Sequence, residues 1–268
     1  MKYFLVCYIL FCISISNIPA QVFENTDLKI SVLEDKIWVI VTSDHTTMYL
    51  VEGNKKALLI DTGTKCDSLD KVIRHITSKP LEVVITHGHY DHAGNIKYFA
   101  DIYMHPADTF FLHGSYQGKI HFVKDGDIFD LGGKVIEVRE MPGHTPGSIV
   151  LVDKQAKCCF TGDAFGSGLA WLQIWPIAPM NTFIASCSKM EDLMDNGIEK
   201  LYCGHYFYQN RGLPKEYMLR MKELAISIKN GTVKNAKPYP VKVSISCDNP
   251  MEAWNENAGI VFDPDNIK

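Results

Sequence analysis

Positive charge is the first thing this sequence has little of. Its 27 lysines and arginines stand against 31 aspartates and glutamates, a net charge of −4 at pH 7. No basic patch or high isoelectric point is present to bind a phosphate backbone, which excludes nucleic acid as a partner. Long apolar runs are scarce too. The one that stands out, residues 3–15, falls short of the about 20 residues an ordinary membrane-spanning helix needs. There is no repeat array, no low-complexity tract and no linker-like segment. No Gly-x-Ser-x-Gly elbow is found, so the sequence offers no serine nucleophile of that kind. The eight cysteines are not spaced as a disulfide scaffold. Cys158 and Cys159 are adjacent, so on a strand they face opposite ways. We read most cysteines as small buried apolar residues, with one or two bridges left open.

What is there suits one medium domain. The chain has 268 residues with an ordinary 46% apolar content, enough for a substantial core. Residues 1–20 stand apart. Lys2 gives a small positive start, residues 3–15 are almost continuously apolar, and Ile18-Pro-Ala20 offers a cleavage site before Gln21. This pattern predicts a secretory signal, leaving 21–268 as the working domain and placing it outside the cell or in a periplasm. The alternative is an uncleaved anchor. Neither Cys7 nor Cys12 lies in a lipoprotein acceptor context. Removing the segment takes away only Lys2 and leaves a net charge of −5.

Strands are expected at residues 37–41, 48–51, 57–60, 81–85 and 102–104, and several more within 123–152. The tail reads as strand at 241–246 and 260–262. Helical spacing of Leu69, Val72, Ile73 and Ile76 predicts a helix over 67–78, stopped near Pro80. Further helices are expected to begin at 93 and at Pro106, and to cover 182–194 and 214–229. Such interleaving fits an α/β sandwich of two face-to-face sheets with helices on both outer sides.

The chemistry concentrates in Thr86-His-Gly-His-Tyr-Asp-His92, directly after an apolar run. Three imidazoles and a carboxylate fall within six positions, where a strand gives way to a loop. These are the usual ligands of a borderline cation such as zinc. His87 and His89 are two apart and point the same way on extended chain; Asp91 and His92 follow once the chain turns. Three more candidates, His144, Asp163 and His205, each close a short apolar run. Strand-end loops backed by rigid sheet make a precise site.

This set resembles the metallo-β-lactamase superfamily. The matching motifs are Leu58-Leu-Ile-Asp-Thr-Gly63, His87-Gly-His-Tyr-Asp-His92, Gly143-His-Thr-Pro-Gly147, Thr161-Gly-Asp163 and Gly204-His205, in the family's order over most of the chain. The resemblance implies an αββα four-layer sandwich of two mixed sheets flanked by helices, with metals at one edge. It implies one ion on His87, His89 and His144 and a second on Asp91, His92 and His205, with Asp163 bridging. Asp61 would buttress the histidine loop from behind. An aspartate at 163 favours the glyoxalase II-like, lactonase-like and thioesterase-like branches; His89, where flavodiiron proteins have glutamate, argues against that branch. The expected cofactor is a pair of divalent ions, zinc first. The expected partner is a small-molecule substrate, with no nucleic acid and no stable membrane span after signal cleavage.

The implied reaction is hydrolysis of an ester, thioester or lactone by a hydroxide bridging two metals, with Asp91 orienting it and shuttling its proton. A persulfide dioxygenase-like enzyme with a single iron, and a β-lactam hydrolase, are the alternatives. Residues 165–180 follow Asp163 and are apolar, so Trp171 and Trp175 are candidates to wall a partly hydrophobic pocket. Tyr90 and Tyr206 flank ligands and are candidates to donate to an oxyanion.

Overall fold

The computed structural model describes residues 21–267 except 65, 115, 167, 173–177 and 241–246. The leading segment 1–20, Trp175 and the strand expected at 241–246 therefore lie outside the described residues.

Eight strands form the first sheet in chain order: β1 (Gln21–Glu24), β2 (Leu28–Glu34), β3 (Ile37–Thr42), β4 (Thr47–Glu52), β5 (Ala57–Ile60), β6 (Leu81–Val84), β7 (Asp101–Met104) and β8 (Lys119–Phe122). Neighbours run antiparallel up to β5 and parallel from β5 to β8. The second sheet holds β9 (Ile128–Asp130), β10 (Val135–Glu140), β11 (Ile149–Asp153) and β12 (Cys158–Gly162). Beyond β13 (Leu169–Trp171), it is completed by β14 (Lys200–Cys203), parallel to β12. Among the described residues the α-helices are α1 (Leu69–Arg74), α2 (Tyr90–Ala93), α3 (Met180–Asp195), α4 (Tyr206–Gln209) and α5 (Lys215–Lys229).

The layering follows from the period of two along a strand. In β5, Ala57 and Leu59 join the cluster under α1, while Leu58 and Ile60 face the other sheet. In β11, Val150 and Val152 pack under α3 and α5, while Ile149 and Leu151 face inward. Both faces being covered, these strands read as unbroken apolar runs rather than alternating ones. The inner layer joins Val39, Tyr49, Leu58 and Val84 of one sheet to Ile136, Val138, Leu151 and Phe160 of the other. This is the αββα sandwich, and ligand-bearing loops leave β6, β10, β12 and β14.

Three features depart from the sequence expectation. A third, four-stranded sheet combines β13 with β17 (Ala258–Phe262), β16 (Met251–Asn255) and β15 (Lys237–Pro238). β13 is three residues held in parallel register by β17, a pairing that local pattern does not reveal. α1 is shorter than 67–78, because Thr77 turns its hydroxyl to Glu52 and receives the Lys79 amide, closing a turn instead of another helical one. The segment from Pro106 is a 3-10 helix ending at Leu112. All six cysteines outside residues 1–20 are free thiols; burial, the largest cause, pushes Cys66 up to about 11 and Cys203 up to about 12.

Candidate metal centre

Loop geometry brings seven donors to one edge of the sandwich. β6 ends at Val84, and the chain runs through Thr86 and His87 to His89, which caps α2. His89 is extended (φ −64°, ψ 149°), and the turn of α2 then swings Asp91 and His92 toward a second position. Backbone proximity demands glycine at two sites. A Cβ on Gly162, just before Asp163, would stand 2.2 Å from the Thr86 hydroxyl oxygen, and the residue adopts φ +48°. A Cβ on Gly204, just before His205, would meet His92 at 2.4 Å and Asp163 at 2.5 Å. The glycines of Gly-Asp and Gly-His are thus the clearance between ligand loops.

The donors fall into two clusters: His87, His89 and His144; and Asp91, His92, Asp163 and His205. In the first, Nε2 of His144 lies 3.3 Å from Nε2 of His87 and 3.0 Å from Nδ1 of His89. Those separations approximate the ~3.3 Å edge of a tetrahedron built on ~2.0 Å metal–nitrogen bonds. In the second, Nε2 of His205 is 3.4 Å from an Asp91 oxygen and 3.2 Å from Oδ2 of Asp163. Nε2 of His92 is 3.6 Å from Asp91 and 3.5 Å from Oδ1 of Asp163. Oδ2 of Asp163 also reaches within 3.9 Å of Nε2 of His144, so this carboxylate touches both clusters.

Hydrogen bonds from behind fix which nitrogen faces inward. His92 Nδ1 donates to Asp61 at 2.7 Å, His144 Nδ1 to the Trp171 carbonyl at 2.7 Å, and His205 Nδ1 to the His45 carbonyl at 3.2 Å. Their Nε2 atoms therefore face the centre, where an ion would take their lone pairs. Asp61 has φ 65° and also accepts the Thr86 amide and hydroxyl. The Thr86 oxygen lies 3.2 Å from His87 Nδ1. His92 Nε2 is buried with no hydrogen-bond partner. An orphaned imidazole nitrogen facing two carboxylates in a dry cleft is the environment a cation completes, and the donor set fits a divalent ion.

Electrostatics separates the clusters. Burial and then the His92 imidazole hold His87 well below the usual histidine range; burial and then His144 hold His89 down at about 3. Burial opposes the charge on His92 and His205 as well, but carboxylates outweigh it. Asp163 chiefly, then Asp91 and Asp61, raise His92, while Asp163 and Asp91 push His205 up to about 10. In return, and against burial, His92 and His205 hold Asp91 down at about 2, and His205 and His92 keep Asp163 ionised.

Two residues that sequence reading missed organise the rim. Asp108, fully buried in the 3-10 segment, accepts the Gly88 and Gly147 amides at 2.9 and 2.6 Å and the Thr145 hydroxyl at 2.7 Å. It ties the His87–His89 loop to the His144 loop. His45, at φ 70° on the β3–β4 hairpin, presents its carbonyl to His205. Asp108 acts on groups of remote loops and His45 through its own carbonyl on a remote imidazole, for which no local sequence signal exists. Of the candidate pocket residues, Trp171 is half-buried beside His144 and Tyr90 is 73% exposed. Tyr206 is not at the rim: the first turn of α4 points it into the inter-sheet core against Tyr202, at 6.2 Å between ring centres. Tyr208, 61% exposed and 6.2 Å from the His205 ring, stands where Tyr206 was expected.

Comparison with known proteins places this arrangement. Residues 41–205 match the metallo-beta-lactamase superfamily. Acyl-coenzyme A thioesterase MBLAC2 of Gallus gallus is 28% identical over 207 residues, covering 62% of this chain and 74% of that protein. A hydroxyacylglutathione hydrolase of Francisella philomiragia is 27% identical over 179 residues, covering 66% of this chain and 69% of its own length. A metallo-beta-lactamase from Pontibacter korlensis superposes with a TM-score of 0.61 at 18% identity, over 74% of this chain and 99% of that one, a likeness of fold. With the family matched over most of its length and the His/Asp clusters assembled at the sheet edge, the chain belongs to the metallo-beta-lactamase superfamily and is a metal-dependent hydrolase of that type.

Proposed function

We propose that this enzyme holds two divalent ions, zinc by ligand preference, and hydrolyses the thioester, or a related ester or lactone, of a small, partly hydrophobic acyl compound. The observation carrying the reading is Asp163, whose two oxygens lie against His92 on one side and against His205 and His144 on the other. A carboxylate shared between two donor sets suits two ions. His87, His89 and His144 would hold one, and Asp91, His92 and His205 the other. The bound ions would polarise the scissile carbonyl and lower the pKa of water enough for attack at neutral pH.

The chain's own groups do the rest. Asp91 is 38% exposed at its side chain, while Asp163 is 12% exposed. Asp91 is therefore the carboxylate that incoming water and substrate meet, and its Oδ2 is the atom we assign to take the nucleophile's proton and return one to the leaving group. Asp61, Thr86 and the Trp171 and His45 carbonyls hold the imidazoles in one tautomer throughout. Thioesters come first because both curated relatives described above carry names of thioester hydrolases.

The test is a panel of thioester, ester, lactone and β-lactam substrates on protein of measured metal content. Thioester turnover that rises with zinc and vanishes with chelator is expected. One iron per chain with oxygen uptake would instead favour the dioxygenase alternative, and nitrocefin turnover above all others the lactamase one. Export is proposed on residues 1–20 alone, and N-terminal sequencing of protein recovered outside the cytoplasm tests it.

A further inference from the structure

Exposed aromatic rings cost free energy unless something covers them part of the time. Among the described residues the exposed phenylalanines and tyrosines are Tyr90, Phe110, Phe122, Phe207 and Tyr208. Tyr90, Phe207 and Tyr208 lie within three residues of metal-ligand candidates, and Phe110 packs on Phe111, whose ring meets His89. Phe207 and Tyr208 lie two and three residues after His205, in α4. Because Tyr206 is turned into the core, the helical step sends the next two side chains outward. The His45 ring lies flat on Phe207, 3.8 Å between centres and 7° between planes, and Tyr208 meets His45 edge-on at 5.9 Å. Tyr239 is half-buried, and its ring meets Trp171 edge-on at 4.9 Å. Trp171 carries the carbonyl that orients His144. Aromatic rings thus flank both clusters, His45, Phe207 and Tyr208 at His205 and Trp171 with Tyr239 at His144, in a broken arc, and Phe111 stands edge-on to His89 at 4.8 Å.

Charge sharpens the picture. Residues 42–47, 61–64, 86–95, 105–114, 141–148, 161–172 and 203–210 form the ligand loops and their supports, and none contains lysine or arginine. They do contain Asp44, Asp61, Asp91, Asp108 and Asp163. A carrier rich in phosphates or carboxylates would find no cationic side chain on these loops to pair with; the cations next to the arc in the chain are Arg211, two residues past α4, and Lys237, already paired with Glu252 at 3.1 Å.

We propose that the arc formed by His45, Phe207, Tyr208, Tyr239 and Trp171 is the acyl-binding wall, and that it selects a flat, uncharged aromatic acyl group while making little use of the carrier. This deepens and rests on the hydrolytic function proposed above. Aromatic contacts add about 0.5–1.5 kcal/mol beyond buried area, so losing two rings should cost about tenfold or more in preference.

The experiment compares wild type with Phe207→Ala/Tyr208→Ala, and with Phe122→Ser as a remote control. Each is given 3-phenylpropionyl and acetyl thioesters, both on N-acetylcysteamine and on coenzyme A. Binding of 3-phenylpropionate and propionate is measured separately by calorimetry, which needs no turnover. Expected in wild type is a phenylpropionyl preference that changes less than about threefold between carriers. Expected in the double variant is a fall of about tenfold or more in that preference and in the affinity ratio of the two acids, with metal content unchanged. Equal losses for both acyl groups and both acids would overturn the proposal, as would a tenfold advantage for the coenzyme A ester. Should wild type cleave no thioester or ester yet bind the two acids with the expected ratio and its loss, hydrolysis falls and the arc stands. Should hydrolysis proceed without discrimination, the arc falls and hydrolysis stands.

Discussion

Two donor clusters sit side by side at one sheet edge, and they differ in charge. The first, His87, His89 and His144, has only imidazoles, and burial strips the protons of His87 and His89. The second mixes His92 and His205 with Asp91 and Asp163, and there the carboxylates overcome the same burial and keep protons on the imidazoles. Desolvation is common to both; the presence of a carboxylate decides its outcome. A cation meets the neutral imidazoles of His87 and His89 in one place and must displace protons in the other. The supports differ in parallel. Asp61 backs the second cluster through His92, while Asp108 backs the first through the Gly88 and Gly147 amides and the Thr145 hydroxyl.

The largest effect is expected where the clusters meet. Asp163→Ala removes the group common to both, so thioester turnover should fall on the order of 10^4-fold, as when one member of a catalytic unit is lost; metal analysis of the same protein should show fewer than two ions per chain. A variant keeping two ions would erase the bridge between clusters. Asp91→Ala, confined to the second, should cost ~10^2–10^4-fold in kcat while the first cluster keeps its ion, and near-full activity would refute the proton role.

Smaller and more discriminating is the pair Asp61→Asn and Asp108→Asn. Each should weaken metal binding by ~10–100-fold, the first variant at the second cluster and the second variant at the first. Competition titrations with a chromophoric chelator separate the two steps, and identical profiles for both variants would break the distinction. The least effect concerns protons. The ion-free second cluster carries His205 pushed up to about 10, so below that pH an ion must release its proton, and affinity there rises with pH. His89, pushed down to about 3, is already neutral, so it releases no proton when an ion binds the first cluster at neutral pH. Calorimetry in buffers of different ionisation enthalpy reads the proton count of each step.

The comparison also bears on what a sequence discloses. All seven donors were legible because the chemistry demands particular residue types at strand ends, and Asp61 because its loop closes an apolar run. Asp108 and His45 were not, since what they hold is the backbone or imidazole of segments far away in the chain. Tyr206 and Tyr208 mark the finest limit. Both neighbour His205, and only the single turn of α4 decides that one is core and the other rim. β13 was hidden for a related reason: Gly166 and Gly168 precede it, and its pairing partner β17 lies some 90 residues on. The layers themselves were readable from continuous apolar runs such as β5 and β11, whose two faces are both covered.

Stepwise loading of metal-free protein tests the central claim most directly. Zinc is added in known equivalents while bound metal and thioester hydrolysis are followed together. The two-cluster account predicts that the first equivalent fills His87, His89 and His144 with little turnover, and that activity climbs with the second and stops at two. Full activity at one equivalent, or no activity at two, would contradict it.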